Sequence, residues 1–295
     1  MFDVCIVGHV TKDISRFNGR LGGEMPGGVV YYAGIVFRSL GLETVVITKA
    51  AKDDADKILG KLREIGVKIY CSASGVTTVF ENDYSGNRLE FRDQKVQSIA
   101  AAFDPRDLVP IWAKTFHLGP LTNGEMSVRF LEAVSQRGGR VFLDVQGFLR
   151  KTEDGKLRLV DWPDKREALA YVDVLKADLS EARILSGEED PERAARKLAE
   201  LGPEEVVLTC GRKGSLILAG GRLYDIPACP PRIVADPTGC GDSYGAGYIF
   251  HRLQSDDIGA AGRFATALAT LNLECHGPFR GDAQDVQARL RALSE

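Results

Sequence analysis

The chain has 295 residues, 44% of them hydrophobic and 27% charged, ordinary proportions for a soluble globular protein with a large core. Its 38 basic against 41 acidic side chains leave a net charge of −3 with no long basic run, which argues against nucleic acid as the main partner. No stretch approaches the roughly 18 apolar residues of a membrane span, and Met1-Phe-Asp-Val lacks the basic flank of a signal peptide, so a cytoplasmic location is expected. Six scattered cysteines without a C-x-x-C pair read as free thiols, and four histidines show no ligand spacing.

In chain order, residues 2–10 read as a buried strand, with Asp13 just past its end, where open α/β sheets place ligands. Asp13 suits a substrate hydroxyl, or is a plain turn aspartate. Residues 19–28 hold five glycines and a proline; residues 29–40 then show helix periodicity, stopped by Gly41. Gly27-Gly28 at that helix start implies close backbone approach to something. A strand at 44–48, a helix at 54–65 and a strand at 67–71 continue a β-α-β alternation, the mark of a parallel sheet covered by helices.

Two extended arms at 76–84 and 88–92 flank Ser85-Gly86-Asn87, with period two in the second arm. Such a hairpin is a lid that excludes water, a flat surface for dimer contact, or an ornament. Strands at 116–118 and 140–145 enclose a helix at 127–137, and the second strand carries Asp144 and Gln146 to a cleft. The strand at 172–177 ends in Asp178-Leu-Ser-Glu181, which reads as a capping box or as a carboxylate orienting water on a magnesium ion. The strand at 205–209 leads into Thr209-Cys-Gly211-Arg-Lys-Gly214, a phosphate or base loop or a hairpin turn; no Walker-type G-x-x-x-x-G-K-[ST] is present.

Asp236-Pro-Thr-Gly-Cys-Gly-Asp242 follows the apolar run 233–235, read as a strand, and opens a helix that runs to about residue 253. A glycine-rich turn at a helix start is an anion site, because the first N–H groups lack internal partners. Asp242 in that site repels an anion unless it has another task, such as taking a proton from an attacking hydroxyl. The pattern points to phosphoryl transfer to an alcohol. A turn with a helix cap is the plainer reading. A dinucleotide fingerprint through Gly239, Gly241 and Gly245 lacks the acidic-ended strand it requires. Cys240 at a helix start is expected to have a lowered thiol pKa. Helices at 258–273 and 282–293 close the chain.

Together these motifs resemble the PfkB (ribokinase-like) carbohydrate kinase family. The stretch 236–242 is similar to its C-terminal D-T-x-G-A-G-D signature, Gly27-Gly28 with Gly41 to its N-terminal one, and Thr209-x-Gly211-x-x-Gly214 to its nucleotide loop. Asp178-x-x-Glu181 resembles the N-x-x-E magnesium motif, and the resemblance runs from about residue 2 to 277. It implies one ribokinase-like α/β domain over 1–295: a doubly wound, mostly parallel sheet flanked by helices, with β-lid segments at about 14–26 and 76–98.

The implied activity is ATP-dependent phosphoryl transfer to a small sugar or polyol, with ATP and Mg2+ as cofactors. Asp242 is the implied base, with Gly239, Cys240 and Gly241 holding the phosphoryl group. Asp13, Gly27, Gly28, Tyr32 and Gln146 would bind the acceptor; Asp178, Thr209, Gly211, Gly214, Thr266 and Gly277 the nucleotide; Glu181 the metal. No nucleic acid or membrane partner is implied, and the lid is a candidate homodimer surface. Monovalent-ion dependence is left open. Tyr32 where many sugar kinases carry asparagine, and Asp144-Val-Gln-Gly-Phe-Leu-Arg150, are closer to the inositol-kinase-like branch. A nucleoside kinase, or a non-catalytic nucleotide- or sugar-sensing protein on the same fold, is the alternative.

Overall fold

A computed structural model of the chain describes residues 1–17, 19–84 and 93–293. The elements follow in the order β1 (Phe2–Val7), β2 (Thr11–Phe17), β3 (Arg20–Gly27), α1 (Val29–Ser39), β4 (Thr44–Ala50), α2 (Lys52–Glu64), β5 (Lys68–Ala73), β6 (Thr78–Tyr84), β7 (Asp93–Ser98), β8 (Ala113–Leu118), α3 (Val128–Ser135) and β9 (Arg140–Asp144). After them come β10 (Arg150–Glu153), β11 (Lys156–Leu159), α4 (Lys165–Ala168), β12 (Val174–Asp178), α5 (Leu179–Ser186), α6 (Pro191–Ala199), β13 (Glu205–Thr209), β14 (Ser215–Ala219), β15 (Arg222–Ile226), α7 (Cys240–Arg252), α8 (Ile258–Leu273) and α9 (Ala283–Arg291).

Among the described residues the main sheet has the order β15-β14-β13-β12-β9-β8-β1-β4-β5. Every neighbour from β13 to β5 pairs in parallel, while β14 and β15 add an antiparallel edge. Strands buried on both faces must be apolar throughout, and β4 (TVVITKA) is buried at all seven positions. Two apolar cores cover the two faces. One is built from α1, α2, α7 and α8; the other includes residues of α3, α5 and α6. This is the expected doubly wound fold. Helix α1 is apolar almost all round because it lies between the sheet and α7.

The chain leaves β1 toward β4 and β5 on one side, then returns to β8 and β9 on the other. That reversal opens a crevice outside the carboxyl ends of β1 and β8, the usual ligand position in such sheets. The ends of β9, β12 and β13 deliver Asp144, Asp178 and Thr209 to the same edge.

A second sheet, in the order β10-β11-β7-β6-β2-β3, stands over this edge. Its β2–β3 strands span 11–27 and its β6–β7 strands 78–98, the parts of the chain read as lid segments at about 14–26 and 76–98. The β10–β11 hairpin was not anticipated: its arms are only four residues long, and the first, Arg-Lys-Thr-Glu, is polar throughout, so the alternation of Lys-Leu-Arg-Leu has no apolar partner strand. The expected turn at Ser85-Gly86-Asn87 and the second arm at 88–92 lie outside the described residues.

Asp13 sits inside β2 rather than in a turn. The run 233–235 is not a strand: Ile233 and Val234 are exposed, and the segment follows Pro230-Pro231, which supply no N–H to a ladder. It is tethered instead by Ala235 and Asp236, whose N–H groups both donate to the Leu273 carbonyl. Among the described residues no helix is long and apolar enough to cross a membrane.

Candidate active site

The acceptor side is built around β2 and the start of α1. The Thr11 hydroxyl donates to Asp13 Oδ1 at 2.7 Å, fixing the carboxylate. A side chain at Gly27 would run into Asp13 and Thr11, so only glycine lets β3 pass this close. Gly28, in a left-handed conformation (φ 82°), then turns the chain into α1. One turn in, the buried Tyr32 ring reaches the cavity.

The opposite wall is the turn before α7. The Asp236 carboxylate accepts the Thr238 N–H at 2.9 Å, and Gly239 (φ 76°) occupies the left-handed region that favours glycine. Asn272, fully buried on α8, clamps the turn: its amide donates to the Thr238 carbonyl at 3.0 Å, and its Oδ1 accepts the Phe279 N–H at 3.0 Å. Sequence reasoning missed Asn272. Its signal was a polar residue between Leu271 and Leu273 on an apolar helix.

A cavity of about 350 Å³ lies between these walls. Asp13, Gly28, Tyr32, Gln146, Gly239, Gly241 and Asp242 line it, together with Thr11, Phe80, Gln94, Asp144, Arg150 and Lys176. Gly27 abuts its Asp13. Gln94 and Phe80 come from the lid strands, where no local motif marks them, and Arg150 from the start of β10, at the end of the stretch Asp144-Val-Gln-Gly-Phe-Leu-Arg150.

A larger cleft, about 930 Å³, adjoins the first and shares Pro237 and Gly241 with it. Asp178, Thr209, Cys210, Gly211, Gly214, Cys240, Tyr244 and Thr266 line it with Pro230, Pro231, Val234 and Leu273. Of the residues expected to bind nucleotide, Gly277 is not brought to this wall; it faces Met25 of β3 instead. The buried Thr266 hydroxyl lies beside Tyr244, which shares a 2.7 Å hydrogen bond with Ser215.

Asp242 lines the smaller cavity from the first turn of α7, next to Gly241, which borders both spaces. Burial, and then the charge of Asp144, push its carboxyl up to about 7, against the opposing pull of Lys176 and Arg150. A carboxylate poised there is suited to take up a proton near neutral pH. Lys176 Nζ donates to Asp144 Oδ2 at 2.6 Å, with both side chains nearly inaccessible.

The expected low thiol pKa at Cys240 is overturned. Burial pushes this thiol up to about 11; the Asn272 amide pulls the other way, while Asp236 and Asp242 add to the rise. Desolvation and two nearby carboxylates outweigh the helix N-terminus.

Asp178 and Glu181 form a complete capping box: Glu181 N–H donates to Asp178 Oδ1 at 2.8 Å and Asp178 N–H to Glu181 Oε2 at 2.7 Å. Among the described residues no three His, Cys, Asp or Glu side chains cluster as a metal cage. Glu181 is buried, and burial, with Asp144 and Asp178 close by, holds its carboxyl well above the usual range. A magnesium ion carried on donor phosphates fits this arrangement only through water or Asp178, which lines the cleft. His117 is a core residue between Phe37 and Phe142, kept neutral by burial.

Several known proteins are similar to this chain. A pyrophosphate-dependent kinase of the ribokinase family, solved with a pyrophosphate analog and myo-inositol, superposes with a TM-score of 0.86 at 29% identity, over 97% of this chain and 99% of the other. A ribokinase from Arabidopsis thaliana, solved with ribose and ATP, shares the fold at a TM-score of 0.77 and 19% identity, over 98% and 99% of the two chains. The cytidine kinase of Thermococcus kodakarensis is 28% identical over 258 residues, covering 84% of this chain and 88% of the relative. The model of the pfkB family of carbohydrate kinases matches residues 125–283. Because that segment spans more than half of the chain and contains Asp242 with its glycine turn, the protein belongs to the pfkB family of carbohydrate kinases and is itself a kinase.

Proposed function

We propose that the protein transfers the terminal phosphoryl group of ATP to a hydroxyl of a small polyol, an inositol or a sugar, bound in the 350 Å³ cavity. The observation that carries this reading is the position of Asp242, whose first helical turn is shared between a small cavity rich in polar groups and a large cleft with apolar walls. The small space suits an acceptor dense in hydroxyls; the large one, with its prolines, Val234 and Leu273, suits a purine nucleotide.

Asp242 accepts the proton of the attacking hydroxyl. The N–H groups of Gly239 and Gly241, at the start of α7, face the charge that builds on the transferring group, whereas that of Cys240, which was expected to join them, already donates to the Pro237 carbonyl at 3.3 Å. Asp13, fixed by Thr11, and Gln146 accept and donate to the remaining hydroxyls, and Tyr32 closes the floor. Thr209, Gly211, Gly214 and Thr266 receive the nucleotide. A magnesium ion, arriving with ATP, would neutralise phosphate charge; Asp178 and, through it, Glu181 are the residues available to hold its water. The lid strands bring Phe80 and Gln94 over the acceptor, which keeps water from competing for the phosphoryl group.

Two observations favour neighbouring readings. The similar structure at 29% identity is that of a pyrophosphate-dependent kinase with myo-inositol, which supports an inositol acceptor and raises pyrophosphate as a donor. The relative at 28% identity is a cytidine kinase, which supports a nucleoside acceptor. The deciding experiment incubates the protein with Mg2+ and either ATP or pyrophosphate against a panel of inositols, sugars and nucleosides, scoring the phosphorylated product. A product from an inositol or sugar with ATP supports the proposal. Product only with pyrophosphate replaces the donor, product only with nucleosides replaces the acceptor, and none with any pair refutes it.

A further inference from the structure

The site holds more negative charge than its reaction needs. Asp13, Asp144 and Asp242 line the acceptor cavity with only Arg150 and Lys176 as cations among the described residues, and Glu181 lies buried nearby. A phosphoryl group bearing its own negative charge must enter this space, so a cation has to meet it. Lys176 is placed to do so.

The placement follows from sheet register. Lys176 of β12 is paired directly with Asp144 of the parallel neighbour β9, and both side chains leave the same face. Their 2.6 Å contact holds the ammonium at the carboxyl edge of the sheet with only 6% of the side chain accessible. The stem of the lysine is thereby buried and its head fixed. A methyl group added to Gly241 would sit 3.4 Å from Nζ, so the ammonium lies directly beneath the middle of the glycine turn. Gly241 is also a wall shared by the acceptor cavity and the donor cleft.

An ammonium has three N–H donors, and among the described residues Lys176 gives one of them to Asp144. Lys176 also lines the cavity, within reach of a ligand bound there. A buried Lys–Asp pair is a poor way to stabilise a core, since an apolar pair of the same shape does as well or better. Its position under an anion-binding turn is better explained by a ligand.

We propose that Lys176 is a catalytic residue of this kinase, whose ammonium contacts the phosphoryl group in transit between donor and acceptor while Asp144 holds it in place. The inference rests on the phosphotransfer reading above. It assigns Lys176 to the terminal phosphate, the one that ATP has and ADP lacks.

The test compares Lys176→Met with the parent protein by calorimetric titration of ATP and of ADP, each with Mg2+, and by turnover with whichever acceptor the panel yields. The expected result is a loss of ATP affinity at least about tenfold larger than any loss for ADP, with turnover down about 10²- to 10³-fold. A side chain that only held the fold together would lower both affinities alike, and that outcome overturns the proposal, as does unchanged turnover. If Lys176→Met fails to fold with Asp144 left uncompensated, Asp144→Asn/Lys176→Met restores a neutral pair and carries the same ATP-against-ADP comparison. If the parent protein binds neither nucleotide, the ATP reading itself falls and this assignment with it. Binding of both without discrimination by Lys176 removes this assignment alone.

Discussion

The Tyr32 ring packs against the left-handed Gly239, so closely that a Cβ at 239 would collide with the ring's Cδ1, Cε1 and Cγ. One residue begins the acceptor side and the other begins the phosphoryl side, and their contact joins α1 to the turn before α7. Gly239→Ala therefore meets two obstacles: a positive φ that L side chains avoid, and an aromatic ring fixed in the core. The expected outcome is a destabilisation of about 2–4 kcal/mol with turnover lowered more than tenfold. Denaturant unfolding and steady-state kinetics check it, and a variant of wild-type stability would show that Tyr32 is free to move.

Asp242→Asn should leave ATP binding largely intact and lower turnover by roughly 10²-fold or more. Wild-type turnover should rise with pH through about 7, the carboxyl's position in the fold, because the base works only when ionised. Stability runs the other way. An unfolded aspartate titrates near 4, so the fold favours the protonated form, a contribution complete below about 4 and lost as pH rises through 7. Relative to the parent, Asp242→Asn should gain stability on the order of 2 kcal/mol at pH 8 and nothing at pH 4. Melting temperatures at the two pH values read this directly; an equal difference at both would contradict the raised carboxyl.

Asp13→Ala is expected to raise the acceptor KM by about 10²-fold while leaving the ATP KM within about threefold, as loss of one charged hydrogen-bond acceptor predicts. Its carboxylate lines the acceptor cavity and is held there by Thr11. Thr11→Val should then cause a smaller change of the same kind. Equal losses for acceptor and ATP would remove Asp13 from its assigned role.

Cys240 should react slowly with iodoacetamide at pH 8, since its thiol is pushed up to about 11. Cys275 is exposed and should be alkylated first. Mass spectrometry of a time course, with and without ATP, tests the order; Cys240 modified ahead of Cys275 would show that the helix N-terminus prevails over burial.

Asn272→Ala should cost about 2 kcal/mol, because it strands the Thr238 carbonyl and the Phe279 N–H at once. Both lie against the phosphoryl turn, so the ATP KM should rise along with the loss in melting temperature. Normal kinetics in a destabilised variant would limit Asn272 to a purely structural part.

Much of this protein was legible from the chain. The β-α alternation, the buried β4 run, the two glycine-rich helix starts and Asp242 are local features, set by periodicity and by the few residues able to adopt positive φ. So was the order of motifs that identified a kinase scaffold. What stayed hidden depended on residues distant in sequence. The β10–β11 hairpin has two four-residue arms, one of them polar throughout, and it joins the lid through the pairing of Lys156 with Lys95 and the Val96 N–H on the Gly155 carbonyl. Arg150, the first residue of that hairpin, lines the cavity. Asn272 is one polar residue on an apolar helix until α8 is packed against α7. The pKa of Cys240 was misread because a helix start is a local feature, whereas burial is a property of the whole fold. Lys176 makes the same point: it is one charged residue inside an apolar strand, which no motif marked, and only the parallel register of β12 with β9 decided that it faces Asp144 beneath Gly241. Charge placed by long-range pairing has no signature in a single chain, since hydrophobic periodicity reports which face is buried and not what lies across from it.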